Sequence, residues 1–219
     1  IDFLTKCRAF KKDGDKLIKG EKIAEISGKS SSLLKAERVA LNFLQRLSGI
    51  ATLTARFVEK VSFFNTKILD TRKTTPLLRE LEKYAVRCGG GFNHRFGLYD
   101  MIMLKENHIR TAGSISKAVE SIKKHNTSYK IEVEVTNLKE LEEAVNCKID
   151  RIMLDNMPLD EMKEAVKKYS NQIEFEASGN VTLETIEDIA ATGVHFISSG
   201  ALTHSYKSLD ISLLFEEKK

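Results

Sequence analysis

Lys67-Ile68-Leu69-Asp70-Thr71-Arg72-Lys73-Thr74-Thr75-Pro76 decides the fold. A short apolar run ends abruptly in hydrogen-bonding and cationic residues, and residues 77–86 then take up helical spacing. The same grammar recurs downstream. Residues 101–104, 131–135, 151–154, 173–177 and 195–197 read as strands. The first four lead into helical patterns at 116–124, 138–145, 159–169 and 183–191, with Lys105 standing directly after 101–104, and the last ends in Ser198-Ser199-Gly200. Strands alternating with helices of about ten to fifteen residues predict βαβ units and a parallel sheet. At least six successive strand ends carry polar clusters. An open doubly wound sheet concentrates its chemistry at one crevice, whereas a barrel draws on every strand end. No GxGxxG turn and no GxxxxGK[ST] loop is present. The expectation is therefore an α/β chain with a closed or nearly closed barrel.

Ahead of this repeat the pattern differs. Residues 1–30 hold two turn signals, Lys12-Asp13-Gly14-Asp15 and Ile18-Lys19-Gly20-Glu21, and predict a small β-rich piece with strands at Leu17-Ile18 and at 22–26. Ser30-Ser31-Ser32 is placed to cap a helix in which Leu34, Leu41, Leu44 and Leu47 recur at helical spacing beside Phe43. Gly49 is expected to break that helix, and residues 51–61 to form a second one. Over the 219 residues, 35 basic side chains are dispersed among 31 acidic ones for a net charge of +4. No dense basic block marks a nucleic-acid face. Cys7, Cys88 and Cys147 form no CxxC framework, which points to a reducing, cytoplasmic setting. No apolar run approaches the length of a membrane span, and Asn126-Thr127-Ser128 and Asn180-Val181-Thr182 are read as chance matches to a glycosylation pattern.

The chemistry gathers at the strand ends. In Ile131-Glu132-Val133-Glu134-Val135, period-two alternation sends Glu132 and Glu134 to the face opposite the three apolar residues. Both faces of a barrel strand are buried, so these acids need cationic partners or a metal. With Asp155 nearby and no Cys or His in the set, the group suits a hard ion such as Mg²⁺. Arg72, Lys73, Arg95 and Lys105 converge on the same end and would repel one another without an anion among them. His94 stands beside Arg95, positioned to donate to a carboxylate. Arginine grips planar carboxylates and phosphates in a bidentate way, and lysine acts as a point charge. Ser178-Gly179-Asn180 and Ser199-Gly200-Ala201, at the last two strand ends, would let backbone N–H groups approach a phosphate. No nucleophile–base pair is in view.

Five further segments add to that reading. They are the helical signature Ala36-Glu37-Arg38-Val39-Ala40-Leu41-Asn42-Phe43-Leu44-Gln45-Arg46-Leu47-Ser48-Gly49-Ile50-Ala51-Thr52, with Asn93-His94-Arg95, Leu104-Lys105-Glu106-Asn107-His108, Leu154-Asp155-Asn156-Met157 and Glu176-Ala177-Ser178-Gly179-Asn180. Together with Asp70-Thr71-Arg72-Lys73-Thr74-Thr75-Pro76, this set resembles the quinolinate phosphoribosyltransferases. The resemblance implies transfer of phosphoribose from phosphoribosyl pyrophosphate to quinolinate with decarboxylation, giving nicotinate mononucleotide for NAD synthesis. It implies an incomplete barrel of about seven strands over residues 51–206 and a small α/β domain from 1–50 and 207–219, lacking a further N-terminal segment. By motif, Arg72, His94 and Arg95 would hold the quinolinate carboxylates, joined by Arg38 from the neighbouring subunit of a head-to-tail homodimer. Lys73 and Lys105 would lie between the substrates, Glu134 and Asp155 would face Mg²⁺ and the ribose, and the two Ser-Gly loops would hold the 5′-phosphate. Asn180 stands where many members of the family have glycine. A sister enzyme using nicotinate and a non-catalytic phosphate-binding barrel are the competing readings. The number of cations argues against the first, and Glu134, Asp155 and Lys105 together argue against the second.

Overall fold

A computed structural model describes residues 3–125 and 128–216. Residues 1–2 and 217–219 of the expected small domain, and Asn126 and Thr127 of the first glycosylation match, lie outside them. The chain opens with a two-stranded antiparallel sheet, β1 (Lys6–Ala9) against β2 (Ala24–Ser27), in the register Lys6 opposite Ser27. Leu17-Ile18 is not a strand, and the partner of β2 is the earlier Lys6–Ala9. Every residue of β1 is exposed, so no inward-facing alternation betrays it in the sequence.

A single helix follows, α1 (Ser30–Lys60). Gly49 does not end it. Glycine is needed there for close approach, because a methyl group at Gly49 would run into the Lys207 backbone carbonyl. The segment after 206 lies along this helix: Leu209 donates its N–H to the Gln45 carbonyl at 3.1 Å, and the Gln45 side chain donates to the Ile211 carbonyl at 2.7 Å. Lys22 then meets Glu216 at 3.0 Å, which returns the chain to the N-terminal piece.

The body alternates as expected. It runs β3 (Lys67–Leu69), α2 (Arg79–Cys88), β4 (Ile102–Leu104), α3 (Glu106–Ala112), α4 (Ile115–Lys124), β5 (Ile131–Val135), α5 (Leu138–Asn146) and β6 (Arg151–Asp155). It continues through α6 (Leu159–Tyr169), β7 (Glu174–Ser178), α7 (Ile186–Ala190), β8 (Phe196–Ser198) and α8 (Ala201–His204). Six strands pair in parallel, in the order β3-β8-β7-β6-β5-β4. On the edge of β3 away from β8, Phe92 adds a single parallel bridge, donating to Ile68 O at 2.8 Å and accepting from Asp70 N at 3.1 Å. α3 was not anticipated. α7 is shorter than the pattern at 183–191 suggests, because residues 182–185 form a turn tied together by the Thr182 and Thr185 hydroxyls.

Register determines what each face carries. Val133 pairs with Ile152, which pairs with Phe175, and Leu154 with Ala177, all fully buried against the helices. On the other face Met103 pairs with Glu132, Glu134 with Met153, Met153 with Glu176, and Asp155 with Ser178. That face carries the acids and opens at the strand C-terminal ends.

Gly49→Ala gains about 1 kcal/mol in intrinsic helix preference and overpacks α1 against Lys207 at a cost of about 1–3 kcal/mol. Denaturant titration should therefore show a net loss of stability in this variant, although the same change on an exposed helix face stabilises.

Candidate active site

The strand ends enclose one cavity of about 750 Å³. The residues singled out from the sequence line it from every side: Arg72 and Lys73 after β3, His94 and Arg95 beyond Phe92, and Lys105 after β4. Glu134, Asp155, Ser178-Gly179-Asn180 and Ser199-Gly200-Ala201 complete the ring. Arg38 is the exception. It is exposed on α1 and is not part of this chain's cavity wall. Met103, Met153, Asn156 and His204 also line the cavity and were not assigned from the sequence. The two methionines had a signal, since alternation with Lys105 and Asp155 sends them inward. His204 had none.

The base of the cavity is tied together by Asp70, which is fully buried. It accepts from Lys83 of α2, from His94 N at 2.9 Å and from the Asn93 side chain at 2.6 Å. Lys83, itself buried, also donates to the His94 carbonyl at 3.0 Å. Burial raises the Asp70 pKa and lowers that of Lys83, and their mutual attraction opposes both shifts. One strand, one helix and the Asn93-His94-Arg95 loop thus meet at a single carboxylate. Arg72 and Arg95 stand above. The Arg95 guanidinium donates to Met101 O at 3.0 Å, and burial and the Arg72 charge lower its pKa.

Below the arginines lies a second buried network. His94 Nε2 is 3.1 Å from Glu132 and 3.2 Å from Glu176, and Arg151 reaches Glu176 at 3.1 Å. His94 Nδ1 accepts the Arg95 N–H at 2.7 Å. Both ring nitrogens therefore face protein atoms, and a direct bond from His94 to a ligand carboxylate requires one of them to be released. Burial alone would lower the His94 pKa, but the bonds to Glu132 and Glu176 outweigh it and push the value up to about 9. Burial, then the Glu176 charge, raises Glu132, whereas the His94 bond holds Glu176 low in spite of burial. These shifts describe one extra proton shared by the cluster. His94, Glu132 and Glu176 are spaced closely enough to hold a metal ion, but Arg151 and the shared proton already balance the two carboxylates.

The rim is arranged differently. Lys105 Nζ lies 2.6 Å from Glu134. Burial and the Glu134 charge raise the Asp155 pKa, with Lys105 and Lys73 acting against them. Asn156 bridges Asp155 and Asn180, with bonds of 3.0 Å on each side. Gly179 has φ +95°, and a methyl group there would collide with Asn156. Asn180 has φ 48°, so it takes the left-handed conformation that Asn tolerates better than most residues. Lys73 crosses over Gly200, and its carbonyl accepts from the Thr203 hydroxyl at 2.9 Å. α8 is only one turn long, so backbone N–H groups, not a helix dipole, are what this loop offers an anion.

A parallel α/β sheet whose strand ends surround a cationic cavity, with two carboxylates at the rim, defines a protein built to hold a multiply charged anion. Comparison with known proteins makes this specific. The family model "Quinolinate phosphoribosyl transferase, C-terminal domain" matches residues 50–214, and the model of the N-terminal domain matches residues 4–48. A Bacillus subtilis protein named probable nicotinate-nucleotide pyrophosphorylase [carboxylating] is 53% identical over 93% of this chain and 71% of its own length. The chloroplastic Arabidopsis thaliana protein of the same designation is 48% identical, over 97% of this chain and 66% of its own. The crystal structure of NadC from Streptococcus pyogenes superposes with a TM-score of 0.92 at 48% identity, covering 95% of this chain and 74% of that one. The chain belongs to the quinolinate phosphoribosyl transferase family. It spans about two thirds of the length of the curated relatives it matches.

Two measurements check this electrostatic account. Lys83→Met strands Asp70 without its cation, and the loss of stability should be about 3–5 kcal/mol by denaturant titration. Groups with raised pKa bind more protons in the folded than in the unfolded state, so the stability they contribute is present at low pH and lost as pH rises. Unfolding free energy should accordingly fall as pH goes from the ordinary histidine value of 6.5 toward about 9.

Proposed function

We propose that the cavity transfers phosphoribose from phosphoribosyl pyrophosphate to quinolinate with loss of CO₂, giving nicotinate mononucleotide. The observation that carries this reading is the division of charge around one cavity of about 750 Å³. Two arginines sit over the His94 network, two lysines lie between loops, and two carboxylates occupy the rim. Family membership and the names of the relatives support it.

Arg72 and Arg95 grip the two ring carboxylates, and Arg38 of the partner subunit joins them in a head-to-tail homodimer. Leu34, Val39, Phe43 and Leu44, exposed on α1 around Arg38, are the apolar surface such a partner would cover. Ser178-Gly179-Asn180 and Ser199-Gly200-Ala201 hold the 5′-phosphate through backbone donors. Glu134 and Asp155 fit Mg²⁺: both offer oxygen ligands, and the mutual repulsion that raises Asp155 is relieved by a cation. Bound there, Mg²⁺ would neutralise charge on the pyrophosphate. Phe92 takes the seventh position in an incomplete barrel, supported by its bridge to β3. The free thiols of Cys7, Cys88 and Cys147 suit a cytoplasmic protein.

In the reaction the bond from ribose C1 to pyrophosphate breaks as the ring nitrogen attacks that carbon. Lys73 and Lys105 stabilise the departing charge from fixed positions, which is how a site without a nucleophile lowers a barrier. The ring nitrogen, now cationic, stabilises the electron pair left behind when the adjacent carboxylate departs as CO₂, and that ring carbon then takes up a proton from water to give nicotinate mononucleotide. Lys105→Ala should lower turnover by about 10²–10³-fold while quinolinate affinity changes far less. The assay follows CO₂ and pyrophosphate with quinolinate or nicotinate as acceptor. Release of both products with quinolinate alone is expected. Normal turnover in the variant, or pyrophosphate release with nicotinate, sinks the reading.

A further inference from the structure

Two separate loops carry Arg72 and Arg95, and one side chain outside the cavity joins them. Arg79 opens α2 and does not line the cavity. Its Nε donates to the Thr74 hydroxyl at 3.0 Å, and its Nη1 donates to the Phe96 carbonyl at 3.1 Å. Thr74 stands two residues after Arg72, and Phe96 directly follows Arg95. The Thr74 hydroxyl in turn lies 3.5 Å from the Arg72 carbonyl, which carries the contact back to the Arg72 backbone. On the other loop the Asp100 carboxylate accepts from Phe96 N and, at 3.3 Å, from Gly97 N, so the Phe96 peptide is held from both sides.

Helix stability does not explain an arginine at this position. The first turn of a helix favours acids and disfavours cations, and Glu80 and Glu82 already follow that rule. Both bonds of Arg79 go to neutral oxygens, one on each loop. The planar fork of arginine serves two acceptors at once, whereas a lysine ammonium is a point charge. The helix end from which Arg79 reaches is itself fixed: Glu82, fully buried, accepts from Thr75 N at 3.1 Å and pairs with Arg46 of α1 at 2.6 Å. Asp70 and Lys83 already join the bases of the two loops, so Arg79 is a second point of attachment. Loops pinned once can pivot apart, and loops pinned twice keep their separation. Burial and then the Arg72 charge lower the Arg95 pKa, so the two guanidiniums repel, and that force acts to open the gap until an anion fills it.

We propose that Arg79 is a positioning residue that sets the gap between Arg72 and Arg95, and with it the carboxylate spacing that the cavity accepts, an inference that rests on the quinolinate reading above. Arg79 does not touch the ligand. Carboxylates on neighbouring ring atoms, as in quinolinate, need two guanidiniums at a short, fixed separation, and carboxylates one ring atom further apart need a wider one. Fixing the separation in advance spares the ligand the cost of ordering the loops. It also turns rejection of the wider diacid into a matter of geometry. The phosphoribosyl half depends on Arg79 less. Lys73 has its own anchor, its carbonyl accepting from the Thr203 hydroxyl at 2.9 Å, and the two Ser-Gly loops follow β7 and β8.

The test is titration calorimetry on the whole protein with quinolinate and, by competition, with pyridine-2,4-dicarboxylate, whose carboxylates are one ring atom further apart. The unaltered protein should prefer quinolinate. Arg79→Met should raise the quinolinate Kd about tenfold, the size expected when one charge-assisted contact is misplaced. The Kd of the 2,4-diacid and the KM for phosphoribosyl pyrophosphate should each change by less than about twofold, so the preference between diacids collapses. Arg79→Lys keeps the charge without the fork and should behave like Arg79→Met; full recovery with lysine overturns the inference. Thr74→Val removes one of the two attachments and should weaken quinolinate by about threefold. Combined with Arg79→Met it should add nothing, as two members of one linkage require. Equal weakening of both diacids, or losses that add in the double variant, make Arg79 a support for the fold only, and the inference falls. Should Arg79→Met not fold, Thr74→Val carries the test, and an unchanged preference in that variant is equally fatal. If Arg79→Met loses the preference but the unaltered protein forms no product from quinolinate, the proposed reaction fails and this inference stands. If the unaltered protein binds neither diacid, both fail.

Discussion

Taking Asp70 out of water is the constraint on which this molecule depends. A fully buried carboxylate is costly unless it is paired and its lone pairs are filled. Here Lys83 supplies the charge, and His94 N and Asn93 supply the remaining donors. These donors come from separate parts of the chain, so satisfying one acid fixes the end of β3 relative to α2 and to the loop beyond Phe92. Arg72 and Arg95 then acquire fixed positions without bonding to each other. Such a pair contributes little net stability compared with apolar side chains of the same size; what it provides is geometry.

The same logic is applied a second time, one layer lower. Strand register brings Glu132 and Glu176 to the inward face, where Arg151 and His94 answer them. The interior thus holds two buried ionic clusters, Asp70 with Lys83 and Glu132 and Glu176 with His94 and Arg151. At the mouth Lys105 is paired with Glu134, whereas Arg72, Lys73 and Arg95 have no ion-pair partner among the described residues, and that imbalance leaves room for an anionic ligand. At the rim the sign reverses locally: Glu134 pairs with Lys105, and burial and the Glu134 charge together raise the Asp155 pKa.

Much of this was legible in advance because it is local. Period-two alternation placed Glu132 and Glu134 inward, and apolar runs followed by helical spacing located all six paired strands of the main sheet. The polar residues after each run proved to line one cavity. What the pattern missed has physical reasons. β1 is exposed along its whole length and carries no burial signal. Gly49 reads as a helix stop by propensity, but its lack of a side chain serves contact with Lys207, a residue far along the chain. The α3 turn is too short to show a period.

The amino-acid order by itself determined the alternating α/β architecture, most of the charged residues that line the cavity and the family, since each depends on neighbours within a few residues or on motifs that need no coordinates. Only the tertiary structure decided which charges meet. Nothing in the spacing pairs Asp70 with Lys83 thirteen positions away, or turns both His94 nitrogens toward protein atoms. Pairing across strands depends on register and on which side chain fills the space between them, and electrostatic energy depends on distance and burial, neither of which is written locally.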